Sequence, residues 1–220
     1  MSTENPKNEG GLAQTCVAGM AIAAGLARLL RYPMNFTPVG AIALFGGARL
    51  RSWWAYGIPL AVMAVSDLLL WAIYGHWNFN LLQYAFNPWV YGCFLLTVLW
   101  GRLFLRKGGA GRIAAVSVLV SVQFFLVTNF GAWWALSNPW TMADGTVMAA
   151  LYTRDLSGLI ACYLAAIPFT NPNAAPLGFL GNQLAGDLFY TGILFGAYAW
   201  LRSGVLVPRR LRALNAARTT

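Results

Sequence analysis

The sequence predicts an all-α membrane protein, a compact bundle of six transmembrane helices, with seven as the alternative. Three observations predict this fold. Hydrophobic residues make up 59% of the 220 residues and charged residues only 10%, against about 25% charged in a soluble domain. The apolar residues also come in stretches near the ~20 residues that one crossing needs. The length suits one bundle, residues 12–202, between a polar N-terminus at 1–11 and a basic tail at 203–220.

The basic residues predict the topology. The formal net charge is +9, and the cations lie at the ends of apolar stretches: at Arg49 and Arg51, between Arg102 and Arg112, and in the tail. Because Lys and Arg collect on the cytoplasmic side, both termini are expected in the cytoplasm, in a multi-pass protein of the inner (cytoplasmic) membrane. Cations at these positions indicate topology rather than nucleic-acid binding.

The number of spans depends on the segment 147–169. With the three basic regions on one side, this segment is re-entrant or interfacial, and the count is six; if it crosses, the count is seven. The six predicted spans are 12–30, the short stretch 37–49, 53–74, 88–105, 113–136 and 178–202.

A proline-broken hairpin at 31–38 joins the first two spans. Pro33 and Pro38 each remove a backbone donor and push the preceding residue out of the helical region. At membrane depth such a break is tolerated only where it is buried in protein or lines a cavity. The hairpin, with Arg31 and Asn35, is therefore either the wall of a ligand site or an ordinary loop outside the bilayer.

Two carboxylates lie inside predicted spans. Asp67 stands within VMAVSDLLLW, and Asp187 follows Asn182 and Gln183 in the last span. A carboxylate there costs ~2.5–3.5 kcal/mol on insertion scales, so it faces the bundle interior and finds a partner. Each has either a ligand-binding role or a structural bond to a backbone donor or an interior arginine such as Arg28.

Aromatic and amide residues collect on the predicted outer side. They are typical either of an interfacial belt and bonds between helices or of walls of a small-molecule site. With the carboxylates and the hairpin they form the predicted ligand-binding set: Arg31, Asn35, Asp67, Trp77, Asn80, Tyr84, Asn129, Trp133, Tyr163, Asn182 and Asp187.

Catalytic and metal-binding motifs are missing from the sequence. It contains neither GxxxxGK[ST], HExxH nor GxSxG, it has one histidine, and its three cysteines lack metal-ligand spacing. We therefore predict no enzyme activity, catalytic residue, metal or cofactor. An intramembrane enzyme acting on a lipid-linked substrate, with Asp67, Asp155 or Asp187 as base, is the less favoured alternative.

Small residues recur every four positions in the first span, at Gly19, Ala23 and Ala27. Such a smooth face lets another helix approach closely. It predicts either docking onto a partner protein or packing against a neighbour in the same bundle.

Two motifs carry a family resemblance. NFTPVGAIALFGGA, followed by a span with SDLLL, resembles the second and third helices of S components, the substrate-binding subunits of energy-coupling-factor (ECF) vitamin transporters. It resembles still more closely an uncharacterised family of bacterial membrane proteins with NFTPVGA-like, TNFGAW-like and GDLFYT-like stretches.

The resemblance to S components implies six helices and a vitamin or metal-related ligand bound from the outside. It also implies docking of an AxxxA face, matched by Ala23 and Ala27, onto a transmembrane coupling protein that works with ATPases. Asp67 matches an acidic residue of vitamin B12-binding members. Where those members use a cysteine to meet cobalt, this chain has Asn78, Phe79 and Asn80.

The sequence as a whole predicts an S-component-like protein that binds a small micronutrient, such as a vitamin or corrinoid, for uptake. The alternative is a structural or assembly protein of the membrane with no transported ligand.

Overall fold

The computed structural model describes residues 36–50, 53–74, 87–142, 145–167 and 178–217, together with residues 15, 18–20 and 22–23, which are helical. A two-stranded antiparallel ribbon, β1 (Trp140–Thr141) and β2 (Val147–Met148), is the sheet structure in these ranges. The all-α fold is thereby confirmed apart from this short ribbon. The helices with described bounds are α1 (Val39–Arg49), α2 (Trp54–Tyr74), α3 (Pro88–Phe104), α4 (Ala110–Leu136), α5 (Leu156–Ala166) and α6 (Gly178–Ala217).

Two helices are long and apolar enough to cross a membrane by length and composition, namely α4 and the part of α6 from Leu180 to Leu201. This finding supports membrane association. Helices α1 and α5 have 11 residues each, about 16 Å at the rise of an α-helix and well short of the ~30 Å hydrocarbon core. The six-span arrangement and the cytoplasmic termini stay predictions.

Helix α1 forms the centre of the described bundle. Its residues from Val39 to Ala48 are all buried, as expected of a helix that is hydrophobic on every side. It packs against α2, α3, α4 and α6. Pro38 precedes its first residue, and the predicted hairpin at 31–38 ends at this point; residues 31–35 lie outside the described residues.

Helices α1 and α3 touch through their backbones. A Cβ atom on Gly47 would overlap the carbonyl oxygen of Val98, and one on Gly101 would overlap the carbonyl oxygen of Leu44. Each of these two glycines thus contacts the backbone of the other helix. Only a residue without a side chain permits so short a distance between the two backbones. Gly47, the second glycine of ALFGGAR near the end of α1, is therefore required by packing rather than by a turn.

Helices α4 and α6 run antiparallel. Ser117 faces Thr191 with their hydroxyl oxygens 3.5 Å apart, and one turn further on Ser121 bonds Asp187. The short helix α5 lies against α4, where the Tyr163 hydroxyl donates to the carbonyl oxygen of Leu126 at 2.7 Å. Helix α6 continues to Ala217, beyond the predicted end of the last span at residue 202.

Replacing Gly101 with alanine should destabilise the bundle by about 1–3 kcal/mol, because the added methyl group forces α1 and α3 apart. The measurement is the free energy of unfolding in mild detergent. Gly92→Ala in the same helix is the control, since none of the described atoms lies within 4 Å of a Cβ at that position. Equal stability of the two variants would contradict the close contact.

Candidate functional site

Polar side chains are buried on α4 and α6, and most of them lie along the seam between these two helices. They have at most 7% of their surface exposed, in a bundle whose other buried side chains are mostly hydrocarbon. We call this set the interior polar cluster: Ser117, Ser121, Asn182, Gln183, Asp187 and Thr191.

Asp187 is at the centre of the cluster and is 2% exposed. Its Oδ2 atom accepts hydrogen bonds from Ser121 Oγ at 2.7 Å and from Gln183 Nε2 at 2.6 Å. Gln183 lies four residues earlier on the same helix, the spacing that brings two side chains onto one face. Within the described ranges, no donor reaches the other oxygen, Oδ1.

The unbonded oxygen of Asp187 faces α1 at Gly40. A Cβ atom on Gly40 would overlap Oδ1, so glycine leaves the space that the carboxylate fills. The chain just before α1 lies against the same part of α6: a Cβ on Gly186 would stand 3.0 Å from Phe36 Cα and 3.2 Å from the Thr37 amide nitrogen. The end of the predicted hairpin and the buried carboxylate are therefore neighbours.

Asp67 belongs to a different part of the bundle. It is half-buried on α2, and the Tyr91 hydroxyl of α3 donates to its Oδ2 atom at 3.3 Å. Asp187 has its described partners on α4 and α6. The two acids thus occupy separate helix pairs.

Asn129, Trp133 and Tyr163 meet at the contact between α4 and the 145–167 segment. Trp133 Nε1 donates to the Thr153 carbonyl at 3.0 Å, and Asn129 Nδ2 donates to the Phe125 carbonyl one turn back at 2.8 Å. The Trp133 bond and the Tyr163 bond to Leu126 attach the 145–167 segment to α4, whereas the Asn129 side chain bonds within its own helix.

The remaining predicted site residues divide between described and undescribed parts of the chain. Gly19 and Ala23 are exposed, while their neighbour Met20 packs against the hydrophobic core. Asn182 is buried in the polar cluster. The others lie outside the described residues: Arg31, Asn35, Trp77, Asn80, Tyr84 and Ala27.

Sequence reasoning missed two residues that define the surroundings of Asp187, namely Ser121 and Gly40. Serines four apart, Ser117 and Ser121, are a signal for a polar stripe on α4 that was available in the sequence. Gly40 carries no such signal, because its role is to leave room for a side chain of another helix.

Metal ligands do not gather in this part of the protein. Across the ranges that the structure describes, no three His, Cys, Asp or Glu side chains come close enough to hold an ion. A small molecule bound here would meet hydroxyl, amide and carboxyl groups.

Asp155 caps the start of α5 outside the predicted spans. Its Oδ1 accepts from the Gly158 amide at 2.8 Å and from the Ser157 and Thr153 hydroxyls at 2.7 Å each. These bonds, the Gly158 amide foremost, lower the pKa of Asp155 to about 2. A carboxylate with so low a pKa is a poor general base near neutral pH.

The fold and the polar cluster define a class: a mostly helical protein with two membrane-capable helices and a carboxylate buried between them. The chain belongs to a family of unknown function, DUF6580, which it matches over residues 11–210. This match confirms the expected uncharacterised family. No curated protein and no solved structure matches the chain. The family match shows no relationship to the S components of ECF transporters.

Replacing Gly40 with alanine should destabilise the protein by about 1–3 kcal/mol through the contact with Asp187. In an Asp187→Ala background the same change should cost less, because its nearest neighbours are the Asp187 carboxyl atoms. Unfolding free energies of the four proteins in a double-mutant cycle give the coupling, expected at about 1 kcal/mol or more. Equal costs in both backgrounds would rule out the contact.

Asp155 should stabilise the start of α5 in a pH-dependent way. Its pKa in the folded protein, about 2, lies below the ordinary 3.8, so the stabilisation is full above pH 3.8 and is lost as the pH falls through 2. Asp155→Ala should therefore speed hydrogen exchange in α5 at pH 5, with the difference vanishing toward pH 2. Asp155→Asn keeps a hydrogen-bond acceptor that does not titrate. The difference in exchange rate between Asp155→Asn and Asp155→Ala should therefore stay the same from pH 5 to pH 2.

Proposed function

We propose that this chain is a membrane-embedded, substrate-binding protein of the S-component type, which binds a small micronutrient such as a vitamin or corrinoid for uptake. The proposal includes six spans with both termini in the cytoplasm. It also includes docking through Gly19, Ala23 and Ala27 onto an ECF-type coupling protein with its ATPases.

The buried carboxylate of Asp187 is the observation that carries the proposal. A charged group without its full set of hydrogen bonds is costly in an apolar interior. Membrane proteins keep such groups mainly where they bind a ligand or an ion. Ser121 and Gln183 hold one oxygen in place, which leaves the other for a donor on a ligand.

The position of Asp187 supports access from the hairpin side. Gly40 and the segment at Phe36 and Thr37 form the wall next to this carboxylate. Phe36 and Thr37 belong to the predicted proline-broken hairpin, the element expected to line a cavity. Aromatic side chains extend the wall, since the Phe36 ring lies 5.4 Å from the ring of Tyr190 between centroids. The proposal therefore has the ligand reach Oδ1 from this side.

A structural or assembly protein is the second candidate. The observation that favours it is the exposure of Gly19 and Ala23, on a helix whose Met20 packs against the hydrophobic core. This face needs no ligand in order to bind another membrane helix.

Native mass spectrometry of the protein, purified in mild detergent from its own host, tests the proposal. We expect a small molecule retained at one per chain, with occupancy lowered roughly tenfold by Asp187→Asn, as loss of one hydrogen bond to a charged group predicts. Asp155→Asn, a carboxylate on an exposed helix cap, is the matched control and should retain the molecule.

Asp67→Asn distinguishes the roles of the two carboxylates inside predicted spans. If the ligand is held at Asp187, this change on α2 should leave its occupancy higher than Asp187→Asn does. A bare mass, repeated after incubation with a panel of vitamins and corrinoids, would contradict the carrier proposal and favour the assembly protein.

A further inference from the structure

A groove of about 620 Å³ opens between the first turns of α4 and the middle of α6. It lies near the last residue of α1, Arg49, and near the loop from Leu105 to Gly109, which carries Arg106 and Lys107. We call this the basic end of the bundle. One end of the groove is lined by Gly108, Ala110 and Ala199, and its other end reaches Leu188 and Thr191, so that end adjoins the interior polar cluster. The lining does not include Asp187, Ser121 or Gln183, the residues on which the micronutrient proposal depends.

The walls of the groove are smooth and apolar. Ala110 and Ala114 line it on α4, and Gly192 and Gly196 on α6, so small residues recur every four positions on both sides. A Cβ atom at Gly192 or Gly196 would have no described atom within 4 Å. From Leu188 to Ala199 the groove follows α6 for about 16 Å at the rise of an α-helix. This is a trough suited to a flexible hydrocarbon chain.

Positive charge marks one end of the groove. Among the residues that the structure describes, Arg49 is the one charged residue in the lining. Its Nη1 atom donates to the carbonyls of Leu105 at 3.4 Å and Arg106 at 3.1 Å, and its guanidinium lies 5.4 Å from the ring centre of Phe195. The loop carbonyls and the ring together hold the cation at the groove.

Further cations surround the same end. A Cβ atom on Gly108 would stand 3.4 Å from Arg112 Cδ, so the exposed Arg112 side chain passes beside the groove lining. Arg106 and Lys107 are exposed on the same loop. Helix α4 begins there without a side-chain cap on Gly109, and the positive end of its dipole adds to the field.

We propose that this groove binds an anionic phospholipid of the phosphatidylglycerol class, with its phosphate among Arg49, Lys107 and Arg112 and one acyl chain along Gly192 and Gly196. Charge complementarity decides the occupant, because a basic pocket between helices at the cytoplasmic surface favours an acidic head group. An apolar trough continuing from the cations favours a lipid over a soluble anion. The inference rests on the membrane location in the proposed function and is independent of the micronutrient.

The test titrates the delipidated full-length protein in detergent with phosphatidylglycerol or phosphatidylcholine and counts bound lipids by native mass spectrometry. We expect one saturable phosphatidylglycerol, bound at least roughly tenfold more tightly than phosphatidylcholine. Arg112→Gln should weaken it about fivefold, the equivalent of about 1 kcal/mol per cation near an anionic surface. Arg154→Gln removes an exposed cation stacked on Trp134 and should leave the affinity for phosphatidylglycerol unchanged.

Gly196→Leu fills the trough without removing charge. It should weaken the binding of phosphatidylglycerol at least as strongly as Arg112→Gln does. Ala115→Leu, at an exposed α4 position outside the groove lining, is its matched control. If Gly196→Leu fails to fold, Gly192→Ala and Arg112→Gln still test the trough and the charge separately.

Three results would overturn the proposal. Equal affinity for the two lipids would remove the role of charge. If inorganic phosphate displaces the lipid and Gly196→Leu binds phosphatidylglycerol as tightly as the unaltered protein does, the groove is a site for a soluble anion. Loss of a co-purifying protein from Gly196→Leu, with lipid binding intact, would identify a helix-docking face. Failure of micronutrient binding leaves each of these lipid measurements unaffected, so the two proposals fail separately.

Discussion

The packing of the protein depends on the backbone contact between α1 and α3. Gly47 and Gly101 each lie against a carbonyl of the other helix, so the two helices are closer than a side chain at either position would permit. This contact buries α1, a helix of 11 residues, within the bundle. In lipid, where no hydrophobic force drives helices together, such close van der Waals contact is a main source of association. Helices α2, α4 and α6 also pack against α1, and α5 lies against α4.

The polar cluster uses the same property of α1 on its other side. Gly40 of α1 leaves room for the Asp187 carboxylate of α6. Ser121 of α4, a third helix, donates a hydrogen bond to the same carboxylate. A single glycine-containing helix thus sets both the tightest packing and the site of the buried charge. The core and the proposed binding site share a wall, so a ligand that moves this wall acts directly on the packing of the bundle.

Much of the fold could be predicted from the sequence, because apolar runs ended by arginine, glycine or proline mark helix ends well. The predicted spans 53–74 and 88–105 correspond closely to Trp54–Tyr74 and Pro88–Phe104. Asp187 and Asn182 stood out because polar groups are expensive among apolar residues. Gly40 and Ser121 did not, since their roles arise only when three helices come together. Trp133 and Tyr163 show the converse: belt-like aromatics whose polar atoms bond neighbouring backbone.

The stretch of α1 before Arg49 affects how the protein responds to its surroundings. From Val39 to Ala48 the helix has no side chain that can ionise or form a hydrogen bond. The attachment of this stretch therefore depends on shape, and ionic strength, which screens exposed charges, acts on α1 only at Arg49, its last residue. The centre of the bundle tolerates changes of salt, while one additional methyl group at a glycine disturbs it. Ionic conditions can act on the basic end and the loops while the central helix keeps its place.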